Sequence, residues 1–124
     1  MMKKILVIDD DVLVLKSVKN LLKRSSYDVT CVNDGKQAIE NVSNEDFNLV
    51  ICDMRMPGQD GLSVVNEIQA YLKRKNRSQV PFLFITGYAS EEAPIEAIKL
   101  GAKDYILKPF DLDELIESVA KNIR

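Results

Sequence analysis

The chain has 124 residues, is 46% hydrophobic and 29% charged, and carries a formal net charge of −2. That length suits one domain with one core, the charge gives no general drive toward nucleic acid, and no apolar run reaches membrane-helix length. The sequence contains no histidine, which excludes Ser-His-Asp and Cys-His centres and a histidine phosphoacceptor.

Met1-Met2-Lys3-Lys4 leads straight into a short apolar run without a signal-peptide pattern. Lys4 to Ile8 is predicted to be a strand, and it ends on Asp9-Asp10-Asp11. Asp11 caps a helix whose apolar positions Leu15, Val18, Leu21 and Leu22 recur at helical spacing; Ser25-Ser26 ends it. Tyr27 to Val32 is a second strand, Asn33-Asp34-Gly35 a turn, and Ala38, Ile39 and Val42 mark one face of a short helix. Leu49 to Cys52 is unbroken and apolar, the pattern of a strand buried on both faces, and it ends on Asp53. Met56-Pro57-Gly58 turns the chain, and Asp60 caps a third helix marked by Leu62, Val65, Ile68 and Leu72. The polar run Lys73 to Gln79 closes that helix.

Val80 to Ile85 is the fourth strand and ends on Thr86-Gly87. Pro94 disfavours helical geometry at Ala93, so the fourth helix is predicted to start near Pro94, after a long loop, and to stop at Gly101. Lys103 to Leu107 is the fifth strand and leads into Lys108-Pro109. Asp111 with Glu114 reads as a capping-box pair before a fifth helix, with Leu112, Leu115, Ile116, Val119 and Ile123 on one face. Strands alternating with helices imply right-handed crossovers and a doubly wound parallel sheet of strand order 2-1-3-4-5. Cys31 and Cys52 are read as core thiols.

Taken alone, Asp53 is equally well read as a cap or turn residue, and the other strand tips decide between the readings. Asp9 and Asp10 follow strand one, Thr86 follows strand four and Lys108 follows strand five, all on the same sheet edge as Asp53. Adjacent parallel strands lie ~5 Å apart, so the acids of strands one and three can meet. Three carboxylates with one lysine call for another cation, most simply Mg²⁺ with oxygen ligands. A carboxylate beside such a metal, a lysine and a hydroxyl can attack a phosphoryl group and become an acyl phosphate. A flavin or dinucleotide site is the competing use of this architecture. It needs a loop after strand one that cradles phosphate, and three aspartates there repel it.

Four pieces carry a resemblance: Ile8-Asp9-Asp10-Asp11, Val50-Ile51-Cys52-Asp53-Met54-Arg55-Met56-Pro57-Gly58, Ile85-Thr86-Gly87, and Gly101-Ala102-Lys103-Asp104-Tyr105-Ile106-Leu107-Lys108-Pro109-Phe110. Together, in this order, they resemble the receiver domain of two-component response regulators over the whole chain, residues 1–124. The resemblance implies an α/β, flavodoxin-like (βα)5 fold, for which a family member is itself a reference example of the 2-1-3-4-5 order. It implies that Asp53 accepts a phosphoryl group from a sensor histidine kinase or phosphotransfer protein. Asp10, Asp53 and the backbone carbonyl of Arg55 would bind Mg²⁺ directly, and Asp9 through water. Lys108 and Thr86 would contact the phosphoryl group, Tyr105 would be the aromatic switch, and Lys108–Pro109 would be cis. The face of helix four, strand five and helix five would then control an output domain or effector protein, or a homodimer.

The plainer readings are a solvated Lys108, a loop-capping Thr86 and a strand-packing Tyr105. A phosphohydrolase of the haloacid dehalogenase type is the main alternative function. It usually carries a second aspartate two residues after the nucleophile, where this sequence has Arg55. A scaffold that never takes phosphate is the third reading, and the complete acidic set argues against it. Self-catalysed phosphotransfer and aspartyl-phosphate hydrolysis should both be weak, with Arg55 and Tyr88 shielding the phosphoryl group at the rim. A cytoplasmic location, no direct nucleic-acid or membrane partner, and either a stand-alone regulator or part of a longer protein complete the expectations.

Overall fold

The computed structural model describes residues 2–87 and 101–124. In chain order the elements are β1 (Lys4–Ile8), α1 (Val12–Arg24), β2 (Asp28–Val32), α2 (Gly35–Asn44) and β3 (Leu49–Asp53). Next come β4 (Arg55–Met56), β5 (Gln59–Asp60), α3 (Gly61–Arg74), β6 (Phe82–Thr86), β7 (Asp104–Leu107) and α4 (Leu112–Asn122). The main sheet runs β2-β1-β3-β6-β7 with every neighbouring pair parallel. Setting aside the small β4–β5 ribbon, this is the expected 2-1-3-4-5 order in a flavodoxin-like α/β fold. The helix predicted from Pro94 lies outside the described residues. No described helix is long and apolar enough to cross a membrane.

Alternation along the strands divides the core into two layers. Leu6, Ile8, Val50, Cys52, Phe82 and Phe84 face α2 and α3, where Ala38, Val42, Val65, Ile68 and Leu72 are buried with them. Ile5, Val7, Ile51, Leu83, Ile85 and Ile106 pack on the other side with Val18 and Leu22 of α1 and Leu115 and Val119 of α4. Covering both faces explains why Leu49–Asp53 and Phe82–Thr86 are buried throughout. Each fully buried Ile, Leu or Phe contributes about 1.5–3 kcal/mol.

An aspartate caps each described helix. Asp11 accepts from the Leu13 and Val14 N–H groups, Asp34 from Gln37, Asp60 from Leu62 and Asp111 from Asp113. Asn33-Asp34-Gly35 is therefore not a free-standing turn: Asp34 is the cap and Gly35 is the first residue of α2. Leu112 is 53% exposed rather than part of the α4 core face. Ser118 is buried there instead, and its hydroxyl donates to Asp104 Oδ2 at 2.8 Å. The fourth main strand starts two residues later than predicted and includes Thr86.

Candidate functional site

The C-terminal tips of β1, β3, β6 and β7 meet at one edge of the sheet, at the switch point between β1 and β3. Ile8 is in register with Cys52, so Asp9 and Asp53 follow side by side. Asp9 is 1% exposed and Asp53 5%, whereas Asp10 is exposed. The two buried acids are held alike. Asp9 Oδ1 accepts from the Asp11 N–H at 2.9 Å, and Asp53 Oδ1 accepts from the Arg55 N–H at 3.2 Å. Each thus spends one oxygen on the backbone two residues ahead, a local bond typical of aspartate at a turn.

Their second oxygens converge on Lys108. Its ammonium lies 2.9 Å from Asp9 Oδ2 and 3.3 Å from Asp53 Oδ2. The Lys108 N–H donates to the Thr86 carbonyl at 2.7 Å, which continues the β6–β7 pairing to the site. The Lys108–Pro109 bond is cis, as expected. Buried Asp9 Oδ2 is thus held by its ion pair with the Lys108 ammonium. One carboxylate oxygen from each of Asp9, Asp10 and Asp53 lies within 4.8 Å of the other two. Among the described residues, Lys108 pairs with two of the three acids, Asp9 and Asp53. This donor set fits a hard divalent cation such as Mg²⁺.

Electrostatics agree with the geometry. Burial, then the neighbouring Asp9 charge, raises the Asp53 carboxyl to a pKa of about 6, against the opposing pull of the Arg55 N–H and Lys108. Burial would lower the Lys108 pKa, but Asp9 and Asp53 more than offset it and raise it above the ordinary lysine value. Cys52 is fully buried, and burial followed by the Asp53, Asp9 and Asp60 charges pushes its thiol well above its usual range. Half-buried Cys31 is also raised, chiefly by burial. Neither is a reactive thiolate, and both are free cysteines, as expected of packing residues.

Thr86 ends β6 one residue beyond Ile85, the register partner of Asp53, and is 1% exposed. Tyr105 is in register with Phe84 and packs, partly buried, against the α2–α3 layer. Arg55 is exposed at the rim; Tyr88 lies outside the described residues. The loop after Asp53 is tied down more firmly than its turn residues suggest. Arg55–Met56 and Gln59–Asp60 pair as an antiparallel ribbon, the Gly61 N–H donates to the Met54 carbonyl at 2.8 Å, and the Gly35 N–H donates to Gln59 Oε1 at 2.8 Å. The Gln59 bond spans 24 residues, so no local pattern in the sequence announces it.

Residues 5–120 match the response regulator receiver domain family. The chain is 40% identical over 117 residues to the transcriptional regulatory protein ZraR of Escherichia coli K12, covering 94% of this chain and 25% of that protein. It therefore spans about a quarter of the length of the curated relatives it matches. Its fold superposes on a CheY-like receiver domain protein from Methanospirillum hungatei with a TM-score of 0.86 at 28% identity, covering 98% of this chain and 93% of that one. NtrX from Brucella abortus gives a TM-score of 0.86 at 29% identity, covering 98% of this chain and 27% of NtrX. Sequence and fold thus agree over nearly the full length of the chain, which belongs to the response regulator receiver domain family of two-component systems.

Proposed function

We propose that residues 1–124 form one phosphorylation-controlled receiver domain, with Asp53 as the phosphoacceptor. The observation that carries this reading is the pair of buried carboxylates, Asp9 and Asp53, sharing Lys108 beside the exposed Asp10. Asp10, Asp53 and the Arg55 carbonyl would hold Mg²⁺, and Asp9 would hold it through water. When bound, the ion neutralises charge on the phosphoryl oxygens. A carboxylate oxygen of Asp53 attacks phosphorus. The new O–P bond forms as the P–N bond to a phosphohistidine donor breaks, and the donor imidazole nitrogen keeps the bonding pair. Lys108 shifts from Asp53 to the incoming phosphoryl oxygens, and the Thr86 hydroxyl turns toward them. Weak hydrolysis of the acyl phosphate by water resets the site.

The partners of this reading are a sensor histidine kinase or phosphotransfer protein and an output domain or effector. The much greater length of the ZraR relatives is consistent with an output region elsewhere in such proteins. Tyr105, the helix predicted from Pro94 (outside the described residues), β7 and α4, the fifth helix predicted from the sequence, supply the responding face, which would also pair two copies of the chain. Two measurements test these assignments. Mg²⁺ should bind weakly to the unphosphorylated chain, because an open site leaves the ion several waters. Asp10→Ala should remove most of that binding, and undiminished affinity would eliminate Asp10 as a ligand. Binding of a phosphoryl analogue should change amide exchange in β7 and α4 more than in α1 or α2. An equal change throughout would argue against a localised switch.

A further inference from the structure

We propose that Gln59 is a positioning residue: it anchors the β4–β5 ribbon to the first turn of α2 and so holds the Arg55 backbone in the metal-binding loop. The inference rests on the Mg²⁺ reading above. Four observations carry it. The first is the bond itself, from the Gly35 N–H to Gln59 Oε1 at 2.8 Å. The second is why that donor is available. Asp34 caps α2 through the Gln37 N–H at 2.8 Å, which leaves Gly35, the first helical residue, to find an acceptor elsewhere. The third is the closeness of the approach. A Cβ on Gly35 would lie 2.5 Å from Gln59 Nε2 and 2.9 Å from Val64 Cγ2, so a side chain there would push the Gln59 amide out of its present position. The fourth is where the tether acts. Gln59 pairs with Met56, and Arg55 pairs with Asp60, in the ribbon that leaves Asp53. Met56 anchors the first ribbon strand in the core, whereas Arg55, Pro57 and Gly58 are exposed, so the second strand depends more on the Gln59 bond.

Without Gln59, the Arg55 N–H bond to Asp53, the Gly61 N–H bond to Met54 and the burial of Met56 would still hold the base and first strand of the loop. The outer strand of the ribbon would lose its side-chain link to a separate helix. α2 would then no longer constrain the direction of the Arg55 carbonyl. By the same linkage, displacement of the start of α2 would be felt at the metal site.

The test is an Mg²⁺ titration of the intact chain, followed by amide chemical shifts, with hydrogen exchange at the Gly35 amide measured without metal. Gln59→Met keeps the bulk but removes the acceptor; Gln59→Glu keeps an acceptor. Losing one hydrogen bond of ordinary strength predicts about fivefold weaker Mg²⁺ binding in Gln59→Met. Gly35 protection should fall in that variant and be retained in Gln59→Glu, with urea midpoints showing that each variant is folded. Gly35→Ala should weaken Mg²⁺ binding similarly, and adding it to Gln59→Met should cost little more affinity. A purely structural role would not give this non-additivity in metal affinity. Wild-type Mg²⁺ affinity in Gln59→Met, unchanged Gly35 protection there, or full additivity would each overturn the proposal. A wild-type chain that takes no Mg²⁺ while its Gly35 amide is protected would overturn the metal reading and this proposal with it.

Discussion

Gly61→Ala is expected to cost about 3 kcal/mol or more of folding stability, a large effect for the addition of one methyl group. A Cβ at Gly61 would lie 2.1 Å from the Asp53 carbonyl oxygen and 2.8 Å from Met54 Cα. These are backbone atoms, held by the β3–β6 ladder and by the Gly61 N–H bond to Met54, so no side chain can swing aside. Relief requires moving the end of β3 or the start of α3, and either movement displaces Asp53. Gly58→Ala is the control. Gly58 has φ +71° with no atom within 4 Å of the added Cβ, so only the left-handed conformation is penalised, by about 1–2 kcal/mol. Urea unfolding of the two variants should give a clearly lower midpoint for Gly61→Ala. Equal midpoints would show that the loop yields where the packing says it cannot.

Lys108→Met is expected to disable phosphotransfer by about 100-fold or more, the usual loss when a donor to a developing anionic oxygen is removed. It should also destabilise the metal-free fold, because Asp9 and Asp53 would face each other without their shared cation. The pH dependence follows from Asp53. Its folded pKa of about 6 lies above the ordinary 3.8, so between those values the folded state binds more protons than the unfolded state. Stability contributed by this group is therefore greatest below about pH 4 and is lost as pH rises through 6. Removing Lys108 raises the Asp53 pKa further. The penalty should be about 2 kcal/mol near pH 8, discounted for the partly open site, and should shrink toward pH 4. Denaturant unfolding of both chains with chelator present, at pH 4, 6 and 8, measures it. A penalty independent of pH would show that lost packing of the lysine stem, not charge, is responsible.

The main elements are legible in the sequence because the controlling signals are local. Ile5-Leu6-Val7-Ile8 and Leu49-Val50-Ile51-Cys52 can be apolar at every position only if both faces are covered, which identifies the sheet as parallel and internal. Asp11, Asp60 and Asp111 start helices at the expected positions because capping needs only a short side chain and the next amides. The meeting of Asp9, Asp53 and Lys108 is legible one step later, since strand order brings their tips together. What escaped depends on contacts distant in sequence. Gly35 reads as a turn glycine until Gln59, 24 residues on, is seen to take its N–H. The burial of Ser118 on α4 depends on Asp104 of β7, 14 residues earlier, which accepts its hydroxyl. Leu112 fits the apolar period of α4 but lies at the helix start, beyond the edge of the core.

Mapping the phosphoryl group tests the central claim most directly. The chain should be incubated with acetyl phosphate and Mg²⁺, its intact mass recorded, and the modified residue located after borohydride trapping of the acyl phosphate. One added phosphoryl group on Asp53, dependent on the metal and lost in Asp53→Asn, is the expected result. A phosphoryl group on any other residue of the wild-type chain, or none while Mg²⁺ is bound, would contradict the account.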